Sequence, residues 1–160
     1  MATLTAATGA AGNWTAGSAW VGGVAPVAGD DCLITSATTS ITIDSGAVAR
    51  SVDFTGFTGT ITHNASATLT IGDATAGLGN VALILAGTYN LGSVTTSAIS
   101  FISTSTTVQT VDFAGLTSGN VTYNGVAGSW QMTGTHNTGA TATVTLTNGG
   151  SLQDLNLRDS

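Results

Sequence analysis

Short apolar-x-apolar triplets punctuate the chain at spacings of roughly eight to twelve residues. They run Ile41–Ile43, Val52–Phe54, Ile61–His63, Leu69–Ile71 and Val81–Leu85, then Ile99–Phe101, Val111–Phe113, Val121–Tyr123, Trp130–Met132, Val144–Leu146 and Leu155–Leu157. A period of two belongs to a strand with one buried face, so Val52 and Phe54 point inward and Asp53 outward, and Asp112 likewise points outward between Val111 and Phe113. Gly, Asn, Ser and Thr fill the gaps, and these are the residues that turns and bulges need. No window carries a helical period, so the pattern predicts strands and turns throughout.

The triplets fall into two copies of one pattern, 41–98 and 99–157, behind a distinct segment 2–31, and the whole of 1–160 reads as a single domain. Val52-Asp53-Phe54 matches Val111-Asp112-Phe113 at an offset of 59, and Ile61-Thr62-His63-Asn64 matches Val121-Thr122-Tyr123-Asn124 at 60. Leu69-Thr70-Ile71 lies opposite Trp130-Gln131-Met132 at 61, as does Leu83-Ile84-Leu85 opposite Val144-Thr145-Leu146. The offset drifts by single insertions between triplets, which is how loops of repeat proteins vary.

Two all-β architectures use strands at this spacing: a parallel β-solenoid and an antiparallel β-sandwich or jelly roll. The duplication favours the solenoid, because coils that look alike bury a continuous core when stacked. Only Asn124-Gly125 and Asn148-Gly149 offer the tight Asn-Gly turn of a hairpin. Segment 2–31, which holds Trp14, Trp20 and the sole proline, Pro26, is expected to cap the open N-terminal end, with Cys32-Leu33-Ile34 as the first strand.

Composition sharpens this reading. Charged residues are 6% of the 160; all eight acids are Asp and the two bases are Arg50 and Arg158, with no Lys or Glu. Thr and Ser together fill about 29% of positions, far above their usual share. Most strong helix formers are thus missing while β-branched residues abound, and a chain so poor in charge does not look disordered. A net charge of -6 leaves no basic stripe for nucleic acid and no patch for anionic membranes. No apolar run approaches the roughly 18 residues of a membrane span, and residues 1–8 lack the features of a Sec signal. Cys32 is the only cysteine, so it is expected as a small buried core residue.

Candidate chemistry is sparse. Asp53 and Asp112 are paired only by the repeat and face outward, so a polysaccharide-degrading enzyme built on them is the weakest of the functional readings. Asp30 and Asp31 are neighbours on a strand and point apart. His63 aligns with Tyr123, which suits stacking or hydrogen bonding, and His136 sits in the turn-like run Gly134-Thr135-His136-Asn137. The two His do not make a zinc set, and no nucleophile elbow or P-loop occurs. Asp30-Asp31 and Gly72-Asp73 lie outside any calcium motif. The expectation is a non-enzymatic protein without cofactor or metal. Trp14 and Trp20 are the candidate contact residues for a partner or a glycan if exposed, and cap or core residues if buried.

Three elements carry a family resemblance: Asn13-Trp14 with Ala19-Trp20-Val21-Gly22-Gly23-Val24-Ala25-Pro26 and Ala28-Gly29-Asp30-Asp31; Asp44 to Phe54 running into Gly56-Phe57-Thr58-Gly59-Thr60; and Asn124-Gly125-Val126-Ala127-Gly128-Ser129-Trp130. Together they resemble the Gly/Thr-rich repetitive β-proteins of tailed bacteriophages and of bacterial surfaces. The resemblance covers nearly the whole chain and implies a virion structural protein, of the capsid-decoration, cement or head-fibre kind. It further implies assembly in the host cytoplasm, contact with the major capsid protein or another virion protein, and a homotrimer. The alternative it leaves open is a secreted or surface-displayed adhesin that binds glycans.

Overall fold

In the computed structural model, which describes residues 1–9, 11–35, 38–147, 150–153 and 157–159, the triplets pair in parallel with triplets one coil away. The first coil carries β1 (Thr3–Thr5) and β2 (Ala11–Asn13), followed by a 3-10 turn at Gly17–Ala19. The second carries β3 (Asp31–Leu33), β4 (Ser40–Ile43) and β5 (Val48–Ala49), and the third β6 (Ser51–Asp53), β7 (Thr60–His63) and β8 (Thr68–Ile71). The fourth holds β9 (Val81–Ile84), β10 (Thr88–Leu91) and β11 (Ala98–Phe101); the fifth β12 (Val108–Asp112), β13 (Thr117–Ser118) and β14 (Asn120–Asn124). β15 (Ser129–Met132), β16 (His136–Thr138) and β17 (Val144–Thr147) make the sixth, and β18 (Ser151–Gln153) and β19 (Leu157–Asp159) the last.

The first strand of every coil joins one face, in the order β1-β3-β6-β9-β12-β15-β18. The second face consists of β2-β4-β7-β10 and β13-β16-β19, with β10 beside β13, and the third face is β5-β8-β11-β14-β17. Every ladder is parallel, which an antiparallel sandwich would not give; a single antiparallel bridge joins Ala6 to Trp20. The chain is therefore an all-β stack of parallel coils, a β-solenoid.

Registers place like on like. On the first face, Leu4, Cys32, Val52, Leu83, Val111 and Met132 form one inward column. On the third, Leu69, Ile99, Val121 and Val144 form another, and beside it Phe101 stacks on Tyr123 with centroids 4.8 Å apart and planes 10° from parallel. Each side chain so removed from water contributes about 1.5–3 kcal/mol.

The stacking unit is the coil, and its length varies. Asp31 lies over Ser51, 20 residues on, whereas Val52 lies over Leu83, 31 residues on. The match of Val52 with Val111 spans two coils within one column. The later matches do not keep to a face: Ile61 is on the second and Val121 on the third, Leu69 on the third and Trp130 on the first. All three faces use the same apolar-x-apolar alternation, so triplets from different faces look alike in sequence. Of the expected strands, only Leu155–Leu157 extends outside the described residues, at 155 and 156.

Residues 2–13 of the expected cap supply strands of the first coil, and the covering is done by residues 14–30. Thr15 ties this excursion to the second coil, its amide and hydroxyl donating to the Asp44 carboxylate at 3.1 and 2.5 Å.

Candidate functional site

Neither indole of the N-terminal segment is open to a partner. Trp14 is 0% and Trp20 2% exposed, and the two rings meet edge to face at 5.0 Å. Trp14 Nε1 donates to the Val48 carbonyl at 3.0 Å, on the outermost strand of the third face, and Trp20 Nε1 donates to the Trp14 carbonyl at 2.8 Å. A sugar-stacking platform needs an exposed ring face. Here both are spent on covering an edge strand, so the contact role expected of Trp14 and Trp20 is corrected to that of a cap.

The carboxylates serve the backbone. Asp53 and Asp112 sit in one outward column on either side of Ile84, and each accepts from the amide two residues on, Thr55 at 2.8 Å and Ala114 at 2.7 Å. Asp30 accepts from the amides of Ala2 at 2.8 Å and Val27 at 3.2 Å. Asp31 is different. Its carboxylate is buried against Arg50, which donates through Nε at 2.9 Å and through Nη2. Ser51 Oγ and the Leu78 amide also donate to it, at 2.5 and 3.1 Å. Burial raises the Asp31 pKa, but the bonds from Arg50, Ser51 and Leu78, together with the Arg50 charge, outweigh it and hold the carboxyl below its ordinary value. Cys32 is buried beside this pair; desolvation first, then the charges of Asp30 and Asp31, push its thiol up. Among the described residues no three metal-binding side chains converge and no cavity opens.

The two histidines are both in the interior. His63 stays within the stacking and hydrogen-bonding role expected of it: Nε2 lies 3.0 Å from the Ala67 carbonyl, Nδ1 2.5 Å from the Tyr89 hydroxyl, and the Tyr89 ring meets it edge on. His136 is not the turn residue that its glycine- and asparagine-rich surroundings suggested. It begins β16 with its side chain buried, stacked 3.8 Å from Phe113, with Nε2 2.6 Å from Ser118 Oγ. A Ser–His pair sealed from solvent has no route for a substrate, so it is a structural pair.

What remains on the outside is of two kinds. The second face presents hydroxyls and amides in register, Ser40-Thr60-Thr88 in one column and Asn13-Thr42-Thr62-Asn90 in the next, without a charge. Strand geometry sets those columns about 6.7 Å apart and their steps about 4.8 Å. The second kind is apolar. Chain excursions collect at one corner, between the third-face strand of a coil and the next first-face strand: 72–80, 102–107 and 125–128. They stack on one another, as the Thr104 amide and Ser103 hydroxyl donate to the Asp73 carbonyl and the Gly77 amide donates to Gln109 Oε1. Each presents an exposed apolar side chain, Leu78, Ile102 and Val126, with Val108 alongside. These are four of the ten exposed large apolar residues among those described, and three of them stand on the corner loops of successive coils.

The sequence signal for this corner was available but weak. The apolar residues lie outside the triplets, in Gly- and Thr-rich stretches, and only the coil boundaries reveal that they share an edge. No family model, curated protein or solved structure matches this chain.

Proposed function

We propose that the chain is a non-catalytic structural subunit of a virion, of the capsid-decoration or head-fibre kind, that assembles through its apolar corner. The observation that carries this reading is the row of exposed Leu78, Ile102 and Val126 on the corner loops of three successive coils, since exposed apolar surface on neighbouring elements marks interaction sites. The engagement of Asp30, Asp31, Asp53 and Asp112 by their own backbone or by Arg50 supports a structural role over hydrolysis. The partners proposed are the major capsid protein or another virion protein, and further copies of the chain, as a trimer by resemblance.

Mass spectrometry of purified particles tests this: the chain is expected at a fixed stoichiometry to the capsid protein, and its absence overturns the reading. Leu78→Asp with Val126→Asp should abolish incorporation while leaving the melting curve of the isolated chain unchanged. A second reading, a glycan-binding surface protein, is favoured by the uncharged hydroxyl columns of the second face. Binding to a neutral polysaccharide on a glycan array, lost in Thr60→Val with Thr62→Val, would establish it.

A further inference from the structure

We propose that acid opens this solenoid at its fifth and sixth coils, with the buried Ser118–His136 pair as the trigger. The pair joins the fifth coil to the sixth across the second face, because β13 and β16 are neighbours there and β16 in turn carries β19. Its hydrogen bonds can be followed atom by atom. Ser118 Oγ lies 3.0 Å from the Gly119 carbonyl and 2.6 Å from His136 Nε2, and giving its one proton to the carbonyl, which can only accept, makes it the acceptor of Nε2–H and spares the ring a buried, unbonded Nδ1–H. That leaves Nδ1 as a bare lone pair, buried and with no partner among the described residues.

Adding a proton to that nitrogen would create a cation and a new N–H at a site that offers the N–H no acceptor. His63 shows the contrast within the same chain. Its Nε2–H donates to the Ala67 carbonyl, and its Nδ1 faces the Tyr89 hydroxyl, which can turn from donor to acceptor when the ring takes a second proton. Burial lowers the His63 pKa too, but the bond to the Ala67 carbonyl opposes it, so the third coil resists a charged histidine less than the sixth does.

Among the described residues no charged group pairs with His136. β13 contributes Thr117 and Ser118, neither of which ionises near neutrality. Asp112 at the end of β12 is engaged by the Ala114 amide, and Arg158 and Asp159 of β19 stand in register with Asn137 and Thr138, not with His136. Desolvation is the one cause acting on the ring, and it lowers its pKa from 6.5 to about 4. That gap corresponds to about a 300-fold preference of the proton for the opened state. The face of Phe113 attracts an imidazolium and offsets this by up to about thirtyfold, leaving between about tenfold and 300-fold. The sixth coil is also poorly covered: β17 ends its sheet, and Leu146 is 50% exposed although it continues the inward column below Tyr123. Coils open first where their apolar side chains are least covered, so opening starts here.

Hydrogen exchange on the intact chain, corrected for the intrinsic pH dependence of exchange, tests the proposal. Between pH 6.5 and 4, amides of 108–147 should lose at least about fivefold in protection, and those of 31–71 clearly less. In His136→Phe and His136→Gln the pH-dependent part should vanish, and in His63→Gln it should persist. Equal loss in both halves, or an unchanged pH dependence in the His136 variants, would overturn the proposal. Should both variants fail to fold, NMR titration of the His136 ring in the unaltered chain decides it: a value above 5.5 would be incompatible with the trigger, and a value near 4 is the result expected.

Discussion

Replacing Trp14 with alanine probes how the N-terminal end is closed. The side chain is fully buried, meets Trp20 edge to face, and gives its indole N–H to Val48 on the outermost strand of the third face. Truncating a buried Trp to Ala costs about 3–5 kcal/mol, a range that already includes its aromatic contact. The Val48 carbonyl also loses its donor, which costs about 1–3 kcal/mol if water does not replace it. The sum, about 4–8 kcal/mol, is a large part of the roughly 5–15 kcal/mol that a domain of this size possesses. Trp14→Phe keeps most of the ring and loses the N–H, so about 1–3 kcal/mol is expected.

Urea unfolding followed by tryptophan emission separates the two ends of the stack. Trp20 reports on the cap and Trp130, packed near Phe101 and Tyr123 in the sixth coil, on the far end. In Trp14→Ala the Trp20 signal should change at lower urea than the Trp130 signal, because coils open successively from a damaged end. A loss below about 1 kcal/mol, or a Phe variant as damaging as Ala, would refute the account, since packing and the indole bond would then not be what closes the edge.

Other perturbations address the remaining parts of the stack. Arg50→Ala strands the buried Asp31 charge and should cost about 3–5 kcal/mol by urea titration, whereas Arg50→Met with Asp31→Leu should recover most of it. Because the folded Asp31 pKa is depressed, its stabilisation is full above the unfolded value near 4 and fades as pH falls through the folded one; in Asp31→Asn that acid-side loss should disappear from a pH series of melts. Gly72→Ala should melt well below the parent chain, because Gly72 has φ +129° and an added Cβ would stand 2.3 Å from the Ser103 amide nitrogen. Cys32 should resist a thiol reagent until urea unfolds the chain, and early labelling would show that its column is open.

Strand positions were legible wherever burial wrote alternation into the sequence, as at Ile41–Ile43 or Val121–Tyr123. β13 and β16 escaped because Ser118 and His136 occupy inward positions that apolar residues hold elsewhere, so polar pairing replaces the pattern. The Asp31–Arg50 pair was invisible for a different reason. Its members are 19 residues apart, one coil, and only the coil length brings them together. That length ranges from 20 to 31 residues along the first face, which blurs any fixed period and lets an offset near 60 match triplets on different faces. Trp14 and Trp20 carried an ambiguity of residue type: an aromatic platform and an aromatic lid have the same composition, and exposure alone distinguishes them.

The varying perimeter with an unvarying step has a consequence for how such a rod changes in size. Excursions at the corner lengthen a coil without moving the strands above or below it, whereas adding or removing a whole coil alters the axial length by one strand spacing, about 4.8 Å. Seven first-face strands give a rise of about 29 Å from end to end. The second coil aligns with the third at Asp31 on Ser51, Ser40 on Thr60 and Val48 on Thr70. Deleting 31–50 would therefore splice the first coil onto a register like the one it lost. The chain is graduated like a ruler, and its reach can be reset in single marks while its thickness is edited separately.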